Sequence, residues 1–437
     1  MQHPRRASTT AESPPSNATA GIGGRVGARL PALASPVYRR FIFGAFIGTL
    51  GSWMQTTAQG WLVLGLTNSP ALLGLTSAIQ SAPTLVLSLL AGVLADRMDL
   101  RRLLVVTQAA GGILAAVLAV LTMTGAIQFW HVVVIAALAG SAQAFGMPAF
   151  QAVVSTVVDR SAIGNAVALN SAQFNLGRIL GPAMAGIAIA AGGLALAFWA
   201  NAFSFGVVVV VLALLPIRSS RDLARVEASL WSNLMAGIDY LRRERVIRGL
   251  VLLAAVPAIF ILNYLVLMPV YARDVLDIGA PGLGLLTAAV GVGALAGALG
   301  VALLRPSGGS GVLLLTGLTV ASSALVVFAV SRWLPLSLVA LAVLGGAQVA
   351  YYATTNTLIQ VLVPPRLRGR VMSLYILTSL GVIPFGNLLA GLVAQQFGPT
   401  AALAGGGLLT LIVLGVVVVA FPDLRRVRAE AFVAARG

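Results

Sequence analysis

Long apolar runs recur along almost the whole chain after residue 38, and short polar breaks separate them. A helix needs roughly 20 apolar residues to cross a bilayer core about 30 Å thick, and each run is about that long or longer. The runs do not show the short alternation of a membrane barrel. The pattern predicts twelve spanning helices, at about 41–66, 71–95, 102–124, 130–157, 163–191, 194–216, 247–271, 282–304, 311–331, 333–362, 371–394 and 399–421.

Composition agrees with a protein that lies mostly in lipid. Hydrophobic residues make up 59% of the 437 residues, and charged residues only 9%. The sequence has no cysteine, which excludes disulfides and thiolate metal sites. Its two histidines, His3 and His131, are far apart in the sequence, so we expect neither a metal site nor a cofactor. The fold class predicted is an all-α membrane protein.

The polar segments divide the chain into parts. The first 37 residues are rich in Pro, Ser, Ala and Gly, which favours disorder. One sizeable hydrophilic segment then separates six predicted spans from the other six. The predicted parts are a disordered tail (1–37), a six-helix bundle (38–216), a cytoplasmic linker (217–246), a second six-helix bundle (247–421) and a cytoplasmic C-terminal tail (422–437).

The linker contains an amphipathic pattern. Its apolar positions fall on one helical face, with Trp231 beside them and arginines elsewhere, which is typical of a helix lying at the membrane interface. A solvated connector is an equally good interpretation. The positions on that face are Leu230, Leu234, Ile238 and Leu241.

Arginine placement predicts orientation. A net charge of +16 would suggest nucleic-acid binding in a soluble domain, but here the arginines lie in loops, so no nucleic-acid partner is expected. If the N-terminus is cytoplasmic, every arginine except Arg178, Arg273 and Arg332 falls on the cytoplasmic side, as the positive-inside rule requires. We therefore expect a multi-pass protein of a bacterial inner membrane, with both termini cytoplasmic.

The two halves show a faint internal repeat. PALLGLTSAI at 70–79 aligns with PGLGLLTAAV at 281–290, and GPAMAG at 181–186 aligns with GNLLAG at 386–391. Duplicated bundles are a common architecture of secondary transporters, so this repeat indicates an internal duplication.

A charged segment, AGVLADRMDLRR at 91–102, lies between the second and third predicted spans. It resembles the loop signature of the major facilitator superfamily, Gly-x-Leu-Ala-Asp-Arg-x-Gly-Arg-Arg, although Asp99 and Leu100 depart from it. Charge-assisted hydrogen bonds between helices here could hold one face of the bundle shut, and a simple topology-setting basic loop is the alternative. The predicted gate residues are Gly92, Asp96, Arg97 and Arg101.

A second motif, GRILGPAMAG at 177–186, resembles the antiporter motif Gly-x-x-x-Gly-Pro-x-x-Gly-Gly of the same superfamily. Small residues at this spacing form a groove for a neighbouring helix, and the proline removes a backbone donor. Generic close packing is the alternative. The motif residues are Gly177, Gly181, Pro182 and Gly186.

Wider stretches, at 51–75, 145–186 and 364–398, resemble the enterobactin-exporter and macrolide-efflux-like branch called transmembrane secretion effectors. The resemblance implies the major facilitator fold of two six-helix bundles and a cavity lined by the first, fourth, seventh and tenth helices. Amides and phenols there would suit a medium-sized amphipathic molecule, although each amide could instead bond to a neighbouring helix. The cavity residues predicted are Gln55, Gln59, Gln143, Gln151, Gln173, Arg178, Asn263, Tyr264, Gln348, Tyr352 and Asn356.

Arg178 is the one charge placed well inside a predicted span, where it needs a partner. The candidate partners are the amides of Gln143 and Gln151, backbone carbonyls that lack a donor near Pro182, and an anionic or carbonyl-bearing cargo. A simple pin between the fourth and fifth helices is the alternative.

The function predicted is secondary active export of a drug, siderophore or other secondary metabolite by a monomer in the lipid bilayer. No phosphate-binding loop or catalytic constellation is present, so an enzyme is not expected. Protons are the candidate coupling ion, although no acid lies in the middle of a predicted span. An importer of a small organic solute and a non-transporting receptor are the alternatives.

Overall fold

The computed structural model describes residues 31–216, 230–303 and 309–427, and within these ranges all regular secondary structure is helical. The helices are α1 (Pro36–Thr67), α2 (Pro70–Arg97), α3 (Leu100–Met123), α4 (Phe129–Thr156), α5 (Ile163–Leu214), α6 (Leu230–Arg243), α7 (Arg245–Phe260), α8 (Tyr264–Val270), α9 (Gly279–Leu303), α10 (Ser310–Val330), α11 (Leu334–Leu362), α12 (Pro365–Ser379) and α13 (Ile383–Ala420). Short turns of other helix types cover Pro31–Ala34, Arg160–Ala162, Tyr271–Val275 and Pro422–Arg426.

Nine helical stretches among the described residues are long and apolar enough to cross a membrane. Two of them exceed a single crossing, because Ile163–Leu214 has 52 residues and Pro365–Ala420 has 56. Glycines with positive φ interrupt both: Gly193 (φ 76°) in α5 and Gly398 (φ 84°) in α13. These breaks fall where the sequence predicted short connections, after 191 and after 394.

Local chemistry sets the ends of α1. Ser35 accepts a hydrogen bond from the backbone N–H of Tyr38 at 3.2 Å, and Pro36 occupies the first turn, where its missing N–H leaves no bond unmade. At the other end Asn68 adopts the left-handed conformation (φ 50°), and its N–H donates to the Leu64 carbonyl. We call the end of the bundle where α1 ends and α2 begins the Asn68 end. The opposite end, where α2 meets α3, is the Asp99 end.

Two breaks were not predicted from the hydrophobic runs. The seventh run is interrupted between α7 and α8, at residues 261–263. Inside α7, Pro257 has no N–H to donate to the Leu253 carbonyl, four residues earlier. The Tyr351 hydroxyl donates to that Leu253 carbonyl at 2.7 Å instead. The eleventh run is interrupted between α12 and α13, where Pro384 lies in the first turn of the new helix.

Contacts between the two halves reproduce the sequence repeat. We call residues 31–216 the N-terminal half and residues 245–427 the C-terminal half. A Cβ added to Gly186 would lie 3.0 Å from Cα of Pro281, and one added to Gly391 would lie 2.7 Å from the carbonyl oxygen of Pro70. Gly186 aligns with Gly391 and Pro281 with Pro70, so the aligned pairs make equivalent contacts. This supports the predicted duplication.

The linker helix α6 packs on the protein. A Cβ added to Gly237 would lie 2.8 Å from Leu374 and 3.2 Å from the Arg370 carbonyl, so this face of α6 lies against α12. The rest of the amphipathic prediction is only partly covered by the structure. Residues 217–229, the side chains of Leu230, Trp231 and Leu234, and most of both predicted tails lie outside the described residues.

Candidate functional site

The two halves approach each other closely at the Asn68 end. A Cβ on Gly74 of α2 would lie 2.9 Å from Cα of Gly391 of α13, so only glycine fits on either side. Near the same end, a Cβ on Gly60 of α1 would lie 3.1 Å from Pro269 of α8. The contacts between α2 and α13 and between α1 and α8 therefore close the Asn68 end.

Arg273 adds a polar clamp to this closure. Its Nη1 donates to the Leu64 carbonyl at 3.1 Å and to Asn68 Oδ1 at 2.8 Å, both at the C-terminal end of α1. Its Nε and Nη2 donate to the two carboxylate oxygens of Asp274 at 2.6 and 3.1 Å. Nearby, Ser69 Oγ donates to Gln395 Oε1 at 2.8 Å. The bonds to Leu64 and Asn68 and the bond between Ser69 and Gln395 join the N-terminal half to the C-terminal half.

The antiporter-like motif lies between α1 and α9. A Cβ on Gly177 would meet Thr49 at 2.7 Å, and one on Gly181 would meet Trp53 Cβ at 2.6 Å, so both glycines let α5 approach α1. On the other side, the Pro182 carbonyl lies 2.9 Å from the position of a Cβ on Gly284 of α9. The motif thus packs α5 against α1 of its own half and against α9 of the other half, and its antiporter role stays a prediction.

The two amides predicted on α1 form bonds with other helices. Asn201 donates to Gln55 Oε1 at 2.6 Å, and Gln59 Nε2 donates to Gln80 Oε1 at 3.3 Å. Both glutamines are buried. The structure therefore supports the interhelical alternative for Gln55 and Gln59, and we remove them from the cavity set.

The two glutamines predicted on α4 are exposed. Gln143, Met147 and Gln151 are spaced four residues apart and form one exposed stripe in the half of α4 that approaches the Asp99 end. Val134 and Leu138 are exposed on the opposite face of α4, nearer the Asn68 end. Of the predicted residues on α11, Asn356 accepts a hydrogen bond from Gln360.

Six predicted cavity residues carry buried polar atoms that have no hydrogen-bond partner. A native structure has few such atoms, because leaving one unpaired costs roughly 1–3 kcal/mol. Of eight such atoms found among the described residues, seven belong to this group and the eighth is Arg368 Nε. The seven are Gln173 Oε1, Arg178 Nε and Nη2, Asn263 Oδ1, Tyr264 Oη, Gln348 Nε2 and Tyr352 Oη.

These six side chains, which we call the central cluster, come from both halves. Gln173 and Arg178 lie near the middle of the first part of α5, and the other four lie at the α7–α8 junction and in the middle of α11. Arg178 is close enough to Tyr264 to interact with it electrostatically, and Tyr264 is similarly close to Tyr352. The edge-to-face pair of Trp53 on α1 and Phe174 on α5, with ring centroids 6.1 Å apart, supplies an apolar surface in the N-terminal half.

At the Asp99 end the structure describes part of the predicted gate. Gly92, Asp96 and Arg97 belong to α2, but their side chains lie outside the described residues. Arg101 donates to the Ala213 carbonyl near the end of α5, which ties α3 to α5 within the N-terminal half. Asp99, which departs from the family signature, accepts a hydrogen bond from the Arg102 N–H at 3.0 Å and caps α3.

The sequence analysis missed the clamp at the Asn68 end. Its residues are Asn68, Ser69, Arg273, Asp274 and Gln395. One signal was available, because Arg273 is among the few arginines that fall outside the arginine-rich loops. The acceptors on Leu64 and Asn68 could not be read from the sequence, since they depend on how α1 and α8 pack.

Comparison with known proteins gives the family. Residues 28–436 match the family described as transmembrane secretion effector. The chain belongs to this family. It is 26% identical to the staphyloferrin A transporter of Staphylococcus aureus over 380 residues, covering 85% of this chain and 93% of that protein. It is 27% identical to the multidrug efflux pump Tap of Mycolicibacterium fortuitum (88% and 95% covered) and 25% identical to the enterobactin exporter EntS of Shigella flexneri (91% and 93% covered).

Solved structures show the same fold. A D-xylose–proton symporter superposes with a TM-score of 0.70 at 14% identity, covering 86% of this chain and 96% of that one. A bacterial homologue of the human lysosomal transporter Spinster, in an inward-facing and occupied conformation, gives a TM-score of 0.68 at 15% identity, covering 93% and 97%. The family and the fold together make this chain a multi-pass membrane transporter of the major facilitator type and not an enzyme.

Proposed function

We propose that the protein exports a medium-sized amphipathic organic molecule by alternating access, as a secondary transporter of a bacterial inner membrane. The observation that carries this proposal is the central cluster, in which both halves present buried polar groups without partners in the middle of the bundle. The names of the three relatives above, two of them exporters or efflux pumps, support export as the direction.

The proposed topology has twelve spans in two six-helix bundles, 38–216 and 247–421. The nine apolar stretches give eleven spans if Gly193 and Gly398 each divide a long helix, and α1 adds the twelfth. The arginine distribution supports a cytoplasmic location for both termini and for the Asp99 end. Under this orientation the clamp at Arg273 lies on the outer side.

The arrangement of contacts fits an inward-facing state. The closures described above lie at the Asn68 end, while the exposed polar stripe of Gln143 and Gln151 lies toward the Asp99 end. In the proposed cycle the cargo enters from the cytoplasm and reaches the central cluster. The Arg273 clamp then opens as Asp96, Arg97 and Arg101 close the cytoplasmic side, with Gly92 allowing a close approach of helices.

Proton antiport by a monomer completes the proposal. A coupling proton needs a group that titrates, and no Asp or Glu among the described residues lies in the middle of a spanning helix. Asp274, which is paired with Arg273, and Asp96 each belong to one of the two proposed gates. Linking the proton to a gate, rather than to the cargo site, is consistent with this distribution.

The direction of transport can be tested in oriented vesicles. We expect everted vesicles that contain the protein to accumulate an amphipathic drug or siderophore when the lumen is acidified, and a protonophore to abolish this. Vesicles from the same strain without the gene are the control. Accumulation only in right-side-out vesicles would support the importer, and binding without movement in either preparation would support the receptor.

A further inference from the structure

The unpartnered atoms of Arg178 lie on one edge of its guanidinium group. Nε and Nη2 are both buried and without a hydrogen-bond partner. Together they form the side-on edge of an arginine, which presents two parallel N–H donors and matches the two oxygens of a carboxylate. A ligand that binds this edge can therefore accept two hydrogen bonds at once.

The surroundings of Arg178 do not neutralise its charge. No Asp or Glu of the described chain lies at mid-membrane depth, and the amides of Gln143 and Gln151 do not bond to Nε or Nη2. A cation held in a low-dielectric region without a counter-charge is strongly unfavourable. A neutral carbonyl would accept the hydrogen bonds but leave the charge uncompensated. An anion would accept the hydrogen bonds and also compensate the charge.

Two tyrosines of the central cluster extend the same chemistry. The Tyr264 and Tyr352 hydroxyls are also buried and unpartnered, and a phenol can donate a hydrogen bond to an anionic oxygen. Both tyrosines belong to the C-terminal half, whereas Arg178 belongs to the N-terminal half. An anion held by all three would join the halves at mid-membrane.

We propose that Arg178, Tyr264 and Tyr352 form the receptor for an ionised carboxylate, or an equivalent oxyanion, of the cargo. The cargo is then an amphipathic organic anion. Phe174, one helical turn from Arg178 and partly exposed, packs with Trp53 as the surface for its apolar part. This inference rests on the proposed transport function and names the class of molecule transported.

The test compares two aromatic probes of equal shape and different charge. The full-length protein in lipid nanodiscs is titrated with 2-naphthoate and with 2-naphthamide, and binding is followed by tryptophan fluorescence and by the midpoint of thermal unfolding. We expect 2-naphthoate to raise the midpoint and to bind about tenfold or more tightly than the amide, because only the acid supplies a charged bidentate acceptor.

Variants test whether the proposed receptor residues cause the preference for the acid. Arg178→Gln should remove the preference for the acid, and Tyr264→Phe and Tyr352→Phe should each weaken 2-naphthoate binding severalfold. Arg332→Gln removes the same charge from an exposed position and should bind the acid as the wild type does. Without ligand, Arg178→Gln should unfold at the same temperature as the wild type or higher, because it removes a half-buried charge whose Nε and Nη2 have no hydrogen-bond partner.

Several results would overturn the proposal. These are equal binding of acid and amide, binding of neither, a preference that survives Arg178→Gln, or a lower midpoint for unliganded Arg178→Gln, which would identify Arg178 as a structural pin. The vesicle experiment keeps the two proposals apart. Export of a neutral or cationic drug by wild-type protein that shows no acid preference would retain the exporter and reject the anion receptor.

Discussion

Two arginines of this transporter lie in opposite circumstances. Arg273 at the Asn68 end donates hydrogen bonds from Nε, Nη1 and Nη2 to a carbonyl, an amide oxygen and a carboxylate. Arg178, in the middle of the bundle, leaves Nε and Nη2 buried and without partners. The guanidinium group is the same in both, so the difference lies in what the fold has placed around it.

The contrast distinguishes polar groups that stabilise one conformation from polar groups that are free to bind a ligand. Polar groups that have hydrogen-bond partners at the Asn68 end stabilise one arrangement of the halves, and their bonds can be exchanged for bonds to water when that end opens. Polar groups without partners in the core reach water less easily, and a ligand that binds there relieves their unfavourable energy. The comparison therefore supports the proposed roles of Arg273 in conformational change and of Arg178 in recognition.

The largest effect is expected from Arg178→Lys. Lysine keeps the charge but loses the planar pair of donors, so we expect normal expression and normal thermal stability with transport reduced about tenfold or more. Transport in reconstituted vesicles and thermal unfolding of the purified variant measure the two quantities. Wild-type transport by Arg178→Lys, or its failure to fold, would remove the distinction between the two arginines.

A smaller, conformational effect is expected from Arg273→Gln. Losing the bonds to Leu64 and Asn68 should shift the population away from the state closed at the Asn68 end, about fivefold for a loss of about 1 kcal/mol. Because the chain has no cysteine, Ser69→Cys with Gln395→Cys gives a pair for a short bismaleimide without background labelling. We expect the crosslinking yield of this pair to fall when Arg273→Gln is added.

The control for this experiment is Arg332→Gln in the same double-cysteine protein, which changes charge at the same end of the bundle without touching the clamp. Its yield should match that of the parent. If Arg273→Gln also leaves the yield unchanged, the bonds at the Asn68 end do not contribute to the closed state.

At the Asp99 end, Asp96→Asn tests whether the opposite face also has a polar lock. We expect insertion to be intact and turnover to fall severalfold, because a neutral amide is a weaker acceptor for arginine donors than a carboxylate. Turnover is measured in reconstituted vesicles. A wild-type rate would leave the charged segment with the simpler role of setting topology.

The sequence predicted the fold well because hydrophobic length is a strong signal. Helices α3, α4 and α10 begin and end within two residues of the predicted runs. The breaks after Phe260 and after Ser379 were missed because the apolar runs continue through both of them, although a proline lies near each, Pro257 and Pro384. Hydrophobic runs do not contain that information.

The sequence predicted the candidate site less completely than the fold. Composition identified the polar residues within spans, and six of them form the central cluster. It could not separate Gln55 and Gln59, whose partners Asn201 and Gln80 lie on other helices, from residues that have no partner. That distinction depends on helix rotation and packing, which a single sequence does not specify.

Adjacent tyrosines on α11 repeat the contrast on a smaller scale. Tyr351 bonds to the Leu253 carbonyl that Pro257 leaves free, whereas the Tyr352 hydroxyl has no partner. Tyr351→Phe should therefore lower the free energy of unfolding by about 1–3 kcal/mol, because a buried carbonyl loses its donor. Tyr352→Phe should not lower it. Thermal or denaturant unfolding of the two variants checks this, and an equal loss in both would mean that Tyr352 also has a structural bond.

The smallest effect is expected where a partnered group lies next to water. Asp99 caps α3 through the Arg102 N–H, and Asp99→Ala should lower the free energy of unfolding by about 1 kcal/mol, within the usual range for a lost N-cap. Asp99→Asn keeps an acceptor oxygen and should retain most of that stability. Hydrogen exchange at the first turn of α3 should rise in the alanine variant alone. An equal loss in the free energy of unfolding for Asp99→Ala and Tyr351→Phe would contradict this order. It would mean that burial does not determine how much a partnered polar group contributes to stability.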